Sequence, residues 1–90
     1  MKSCRFFVSG RVQGVFYRAN VAKNASKAGF SGYVRNLPDG RVEAVVSCEA
    51  ERLEAFRKIL NIGSPASRVS MIEEQFIDEQ FSGEFEIRYL

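Results

Sequence analysis

An α+β sandwich, with two helices covering one face of an antiparallel sheet, is the fold class this sequence predicts. Three observations carry the prediction. Apolar residues alternate with polar ones in several short stretches, as in strands buried on one side. Two stretches between them repeat their apolar residues at helical spacing instead. The resulting order, β-α-β-β-α-β with an added C-terminal strand, closes into one sheet through right-handed crossovers, which put both helices on the same side. Ninety residues, 46% of them hydrophobic, suffice for one modest core, so a single domain over residues 1–90 is expected.

Each element has its own signal. Cys4, Phe6 and Val8 share one face of a first strand, and Arg5, Phe7 and Ser9 share the other. From Tyr17 to Ala28 the residues Val21, Ala22, Ala25 and Ala28 recur at helical spacing, and Gly29 follows as a C-terminal stop. The small side chains let that helix lie close to the sheet. Phe30, Gly32 and Val34 alternate with Ser31, Tyr33 and Arg35, residues 36–40 read as a turn, and Val42, Ala44 and Val46 resume the alternation, making a β-hairpin. Between Ala50 and Leu60, the residues Leu53, Phe56 and Leu60 fall on one side. Acidic Glu49, Glu51 and Glu54 come early and basic Arg57 and Lys58 late, matching the helix dipole. Gly63 and Pro65 end this helix. Val69 to Phe76 reads as a strand, residues 77–83 as an exposed loop, and Phe85, Ile87 and Tyr89 as a last short strand. The assembled topology is the ferredoxin-like sandwich, in which the first and third strands are antiparallel neighbours and Asn36 approaches the loop after the first strand.

Composition removes several function classes. A net charge of +2 is too small for the basic face a nucleic-acid partner would call for. No apolar run approaches a membrane span, and the N-terminal run Phe6 to Val8 is too short for a signal-peptide core, so a cytoplasmic protein is expected. There is no histidine, hence neither the commonest general base nor the commonest metal ligand. The acidic Glu73, Glu74, Asp78 and Glu79 lack metal-ligand spacing and read as solvent-facing. No metal, no cofactor and no heptad seam is expected, and a monomer is the default.

Chemistry concentrates between Gly10 and Arg18, where the first strand turns into the first helix. Backbone N–H groups at a helix start have no intrahelical partners, and the dipole adds about half a positive charge there. Gly10 and Gly14 let the backbone come close to a ligand, and Arg18 can return a guanidinium to the same place. The ligand implied is phosphate-like, although a plain glycine turn beside a solvated arginine gives the same spacing. A Walker loop would end in Lys-Ser or Lys-Thr, and this one has no lysine. Where a cysteine phosphatase carries its thiolate ahead of the loop arginine, this chain has Val12.

The run Gly10-Arg11-Val12-Gln13-Gly14-Val15-Phe16-Tyr17-Arg18 resembles the acylphosphatase signature G-x-V-Q-G-V-x-F-R, with Tyr17 in the phenylalanine place. Gly32-Tyr33-Val34-Arg35-Asn36 and Asp39-Gly40-Arg41-Val42 resemble the family's second block, and the likeness continues through Gly63-Ser64-Pro65 to Phe85-Glu86-Ile87-Arg88-Tyr89. The resemblance implies hydrolysis of a carboxylic-phosphoric anhydride. It implies that the backbone of Gln13, Gly14, Val15, Phe16, Tyr17 and Arg18, with the Arg18 side chain, binds the phosphoryl group. Asn36 is then the residue that positions the attacking water, and inorganic phosphate is the product and a competitive inhibitor. A carboxylate leaves without a strong general acid, which suits a chain lacking histidine, and the arrangement requires no metal.

Three further features carry alternatives. Arg11, Arg35 and Arg41 form either an electropositive rim or a set of solvated charges. Cys4 and Cys48 share the apolar phase of their strands, so a cross-strand disulfide between them competes with two buried free thiols. The fold also serves RNA binding, but the glycine-aromatic strand motif of that class is missing. An acyl-phosphate sensor, or a domain of a larger carbamoyl-phosphate enzyme, keeps the same loop, and the presence of both Arg18 and Asn36 favours the catalyst.

Overall fold

A computed structural model describes residues 1–89. In chain order the elements are β1 (Lys2–Arg11), α1 (Tyr17–Lys27), β2 (Ser31–Asn36), β3 (Val42–Cys48), α2 (Leu53–Ile62), β4 (Arg68–Ile77) and β5 (Phe85–Ile87), with a 3-10 turn at Ala50–Arg52 leading into α2. The strands lie in the order β4-β1-β3-β2-β5. β1 pairs antiparallel with β3, Phe6 opposite Ala44, and β3 pairs antiparallel with β2, Val34 opposite Ala44. The expected neighbours at the sheet centre are therefore the observed ones.

The sheet is mixed at one edge, where an all-antiparallel one was expected. β5 runs parallel to β2, with Tyr33 opposite Glu86. The path of the chain explains this. β4 ends at Ile77 beside Ser3, at the end of the sheet where β1 begins. Residues 78–84 then cross to the far edge, so β5 must set out in the same direction as β2. The crossing is exposed, as expected, yet pinned: the Ser47 hydroxyl accepts from the Phe81 N–H at 2.8 Å, and Ser31 donates to the Gly83 carbonyl at 2.6 Å. The Phe81 ring meets Tyr33 edge-on at 5.6 Å between centroids.

Strand alternation decides which face is dry. Cys4, Phe6 and Val8 of β1 and Val42, Ala44 and Val46 of β3 point toward the helices and are fully buried. Phe56 of α2 sits at the middle of this layer, its ring centroid 5.4 Å from Phe6, 5.3 Å from Phe30 and 5.8 Å from Phe85. Burying Leu53, Phe56 and Leu60 contributes about 1.5 to 3 kcal/mol each, which is what holds α2 to the sheet. On the opposite face Glu43 is buried between Arg5 at 3.1 Å and Arg35 at 2.6 Å. A buried carboxylate needs such partners.

Cys4 and Cys48 are free thiols on the helix-facing side, so the disulfide alternative is corrected. Their register is diagonal: Cys4 stands opposite Val46, and Cys48 opposite Lys2. Burial raises the pKa of both thiols, which lowers their reactivity. Among the described residues no helix is long and apolar enough to cross a membrane.

Candidate active site

The strand-to-helix turn is shaped by an inside-outside alternation of side chains. Val12, Val15 and Tyr17 point into the core, while Gly14 and Phe16 face out. To let the chain do this, Gly14 takes φ +75° and Phe16 φ +62°. Backbone N–H groups around such left-handed residues converge into a concavity that suits an anion. Glycine accepts this conformation without strain. Phe16 does not, and it is the one non-glycine residue with positive φ among those described. The residue is 80% exposed, so core packing does not explain the conformation.

α1 begins immediately behind this turn with no side-chain cap on its first N–H groups and no acidic residue in its first turn. Phe16 holds the cap position, and Arg18 lies in the first turn. Arg18 is half-buried, its guanidinium carbon 5.1 Å from the centroid of the Tyr89 ring. Among the described residues it has no carboxylate within ion-pair distance. Gly14, Phe16 and Arg18, with Ile87 and Tyr89 across from them, line a cleft of about 300 Å³. The sequence reading assigned no role to Ile87 or Tyr89. Their apolar alternation marked a strand, but its docking beside β2, which brings them here, had no local signal.

The second block reaches the loop through Gln13. Its side-chain amide donates to the carbonyl oxygens of Leu37 at 2.8 Å and Arg41 at 2.9 Å, the two ends of the hairpin turn. That turn is closed by its own bonds. Leu37 N–H donates to the Arg41 carbonyl at 2.8 Å, and Arg41 N–H donates to Asp39 Oδ1 at 3.0 Å. The backbone N–H and then the guanidinium of Arg41 hold the Asp39 carboxyl below its ordinary pKa. Asn36, the last residue of β2, is fixed between this turn and its partner Val42. Its Oδ1 is buried and has no hydrogen-bond donor among the described residues. A buried amide oxygen without a donor costs about 1 to 3 kcal/mol, a cost that a fold alone gives no reason to keep.

The remaining sequence-predicted residues divide cleanly. Tyr17 donates its hydroxyl to the Leu60 carbonyl at 2.7 Å inside the core, and burial raises its pKa, so it serves as a strut between the helices. Of the three rim arginines, Arg35 pairs with Glu43, and Arg41 pairs with Asp39 while stacking over Phe7 at 4.6 Å. Arg11 is exposed at the end of β1. No continuous cationic rim forms. Glu74 pairs with Arg57 on the surface, and Glu73, Asp78 and Glu79 are exposed, as expected. Among the described residues no three Cys, Asp or Glu side chains gather as a metal site would require. The turn thus offers several N–H donors and one guanidinium to a tetrahedral anion, and Gln13 ties it to the hairpin turn that follows Asn36.

The acylphosphatase family profile matches residues 4–87. An acylphosphatase of Methylococcus capsulatus is 45% identical over 85 residues, covering 94% of this chain and 90% of that one. The crystal structure of an acylphosphatase from Bacillus subtilis superposes with a TM-score of 0.91 at 36% identity, over 99% of this chain and 100% of that one. The HypF protein of T. kodakarensis is similar over 100% of this chain but only 12% of its own, with a TM-score of 0.86 and 35% identity.

Proposed function

This chain belongs to the acylphosphatase family, and on that premise we propose that it hydrolyses the carboxyl-phosphate bond of small acyl phosphates to a carboxylate and inorganic phosphate. The phosphoryl oxygens accept hydrogen bonds from the backbone of residues 13–18 and from the Arg18 guanidinium. These donors are preorganised by the fold, so they stabilise charge on the oxygens as the transition state forms without first having to reorient. Asn36 Oδ1 accepts from a water and aims its oxygen at phosphorus. A P–O bond forms to that water as the P–O bond to the acyl oxygen breaks, and the carboxylate departs with the electron pair. The water's proton passes to a phosphoryl oxygen, since an amide cannot keep it. The carboxylate is a weak base, so neither a general acid nor a metal is needed in this scheme.

The observation that supports this reading is the Gln13 side chain, which ties the loop before α1 to the hairpin carbonyl one residue after Asn36, whose buried Oδ1 has no donor among the described residues. The reading brings with it a cytoplasmic monomer that inorganic phosphate inhibits competitively. The test is hydrolysis of benzoyl phosphate in excess chelator, with p-nitrophenyl phosphate as the monoester control. Rapid turnover of the anhydride alone is expected. A folded protein that binds phosphate yet turns over no anhydride would make the loop an anion-binding site and refute the enzyme.

A further inference from the structure

The turn that follows α2 lies directly beneath the loop. Gly63 takes φ +53°, and a Cβ there would stand 2.6 Å from the Tyr17 ring, so the chain passes in contact with the start of α1. Ser64 comes next and is 5% exposed. Its hydroxyl donates to the carbonyl oxygen of Val15 at 2.6 Å, a bond between residues far apart in the chain and buried from water. The Ser64 backbone is itself held: its N–H donates to Ser67 Oγ at 2.9 Å, and that hydroxyl donates back to the Ser64 carbonyl at 2.8 Å.

The peptide unit that Ser64 grips is the one joining Val15 to Phe16. A trans peptide is planar, with its C=O and N–H pointing in opposite directions. Holding the Val15 carbonyl down toward Ser64 therefore turns the Phe16 N–H away from the core, to the side where Gly14 and Arg18 line the cleft. We propose that Ser64 is a positioning residue for the phosphate site: through the Val15 carbonyl it aims the Phe16 N–H into the cradle and holds the loop around the left-handed Phe16. The inference rests on the reading of residues 13–18 as a phosphate cradle. Ser64 itself touches neither substrate nor water in this scheme.

A serine that merely satisfied a buried carbonyl would affect stability and nothing else, which makes the two roles separable. Ser47 provides the matched comparison. It is equally buried, and its hydroxyl bonds to Ser3 Oγ at 2.6 Å and to the Phe81 N–H, at the other end of the sheet. The experiment measures kcat and KM for benzoyl phosphate, the dissociation constant of inorganic phosphate with the Phe16 amide followed by NMR, and urea stability. The proteins are wild type, Ser64→Ala, Ser64→Thr and Ser47→Ala. Ser64→Ala should lower kcat and weaken phosphate binding by about tenfold each, and should shrink the phosphate-induced shift of the Phe16 amide. Ser64→Thr, which keeps the hydroxyl, should recover most of both. Ser47→Ala should lose stability to a similar extent and keep kcat and phosphate affinity within about twofold. If Ser64→Ala does not fold, Ser64→Cys, a weaker donor of similar size, should show the same losses in lesser degree. Normal kcat and phosphate affinity in the Ser64 variants, or equal losses in Ser47→Ala, would overturn the proposal while leaving the acylphosphatase reading intact. A wild type that neither binds phosphate at the Phe16 amide nor turns over the anhydride would overturn both.

Discussion

The two helices begin in opposite ways. α2 is entered through a 3-10 turn carrying Glu51, with Glu54 in its own first turn, so negative charge sits at the positive end of its dipole. Neither helix has a side-chain cap, but α1 begins with a left-handed phenylalanine, no acidic residue, and Arg18 where local electrostatics would favour a carboxylate. The first arrangement completes the helix from within the chain. The second leaves N–H groups, dipole and guanidinium all seeking the same thing, an anion. The charge preference of a helix start is unmet in α1 and met in α2, and the unmet one faces the cleft.

The largest effect that can break this contrast is loss of the guanidinium. Arg18→Ala should lower kcat/KM for benzoyl phosphate by about a hundredfold to a thousandfold, the scale of one preorganised donor, while urea stability stays level or rises. Activity near wild type would make α1's start an ordinary helix end. Asn36→Ala comes next: turnover should fall by about tenfold or more with inhibition by phosphate little changed, because in the proposed scheme the amide acts on water and not on the phosphoryl group. Parallel losses in both would place Asn36 among the phosphate ligands. Phe16→Gly relieves the strained dihedral and exposes no core, so its urea midpoint should rise by the equivalent of about 1 kcal/mol. A fall would show that the ring packs in solution. The smallest change sharpens the contrast from the other side. Glu54→Gln should cost about 0.5 kcal/mol of stability and leave kcat untouched, since α2's dipole is satisfied for the fold alone.

Much of this was legible along the chain. The alternation of Cys4, Phe6 and Val8, the helical spacing of Leu53, Phe56 and Leu60, and the turn before Val42 each give an element the fold contains, although the helix expected from Ala50 starts at Leu53 behind a 3-10 turn. The loop glycines and Arg18 were legible for a different reason: a strand running into a helix through Gly-x-x-x-Gly is a local motif. What was not legible is long-range. The Cys4 and Cys48 phases agreed, yet phase fixes a face and not a partner, and the register set them diagonal. Gln13 looked like a backbone ligand, and its side chain proved to be the tie to the hairpin. Tyr17 looked like a conservative exchange for phenylalanine, and its hydroxyl proved to reach the end of α2.

The sequence by itself determined the order and type of the elements, the sidedness of the first three strands, and the residues of the strand-to-helix turn, because all of these follow from periodicities and dihedral preferences read over a few neighbouring residues. The tertiary structure decided that β5 lies parallel to β2 with Ile87 and Tyr89 at the cleft, that Glu43 is shared by Arg5 and Arg35, and that Ser64 grips the loop from beneath. These depend on backbone carbonyls and sheet edges, which every residue presents alike, so no pattern in the chain announces which distant side chain will find them.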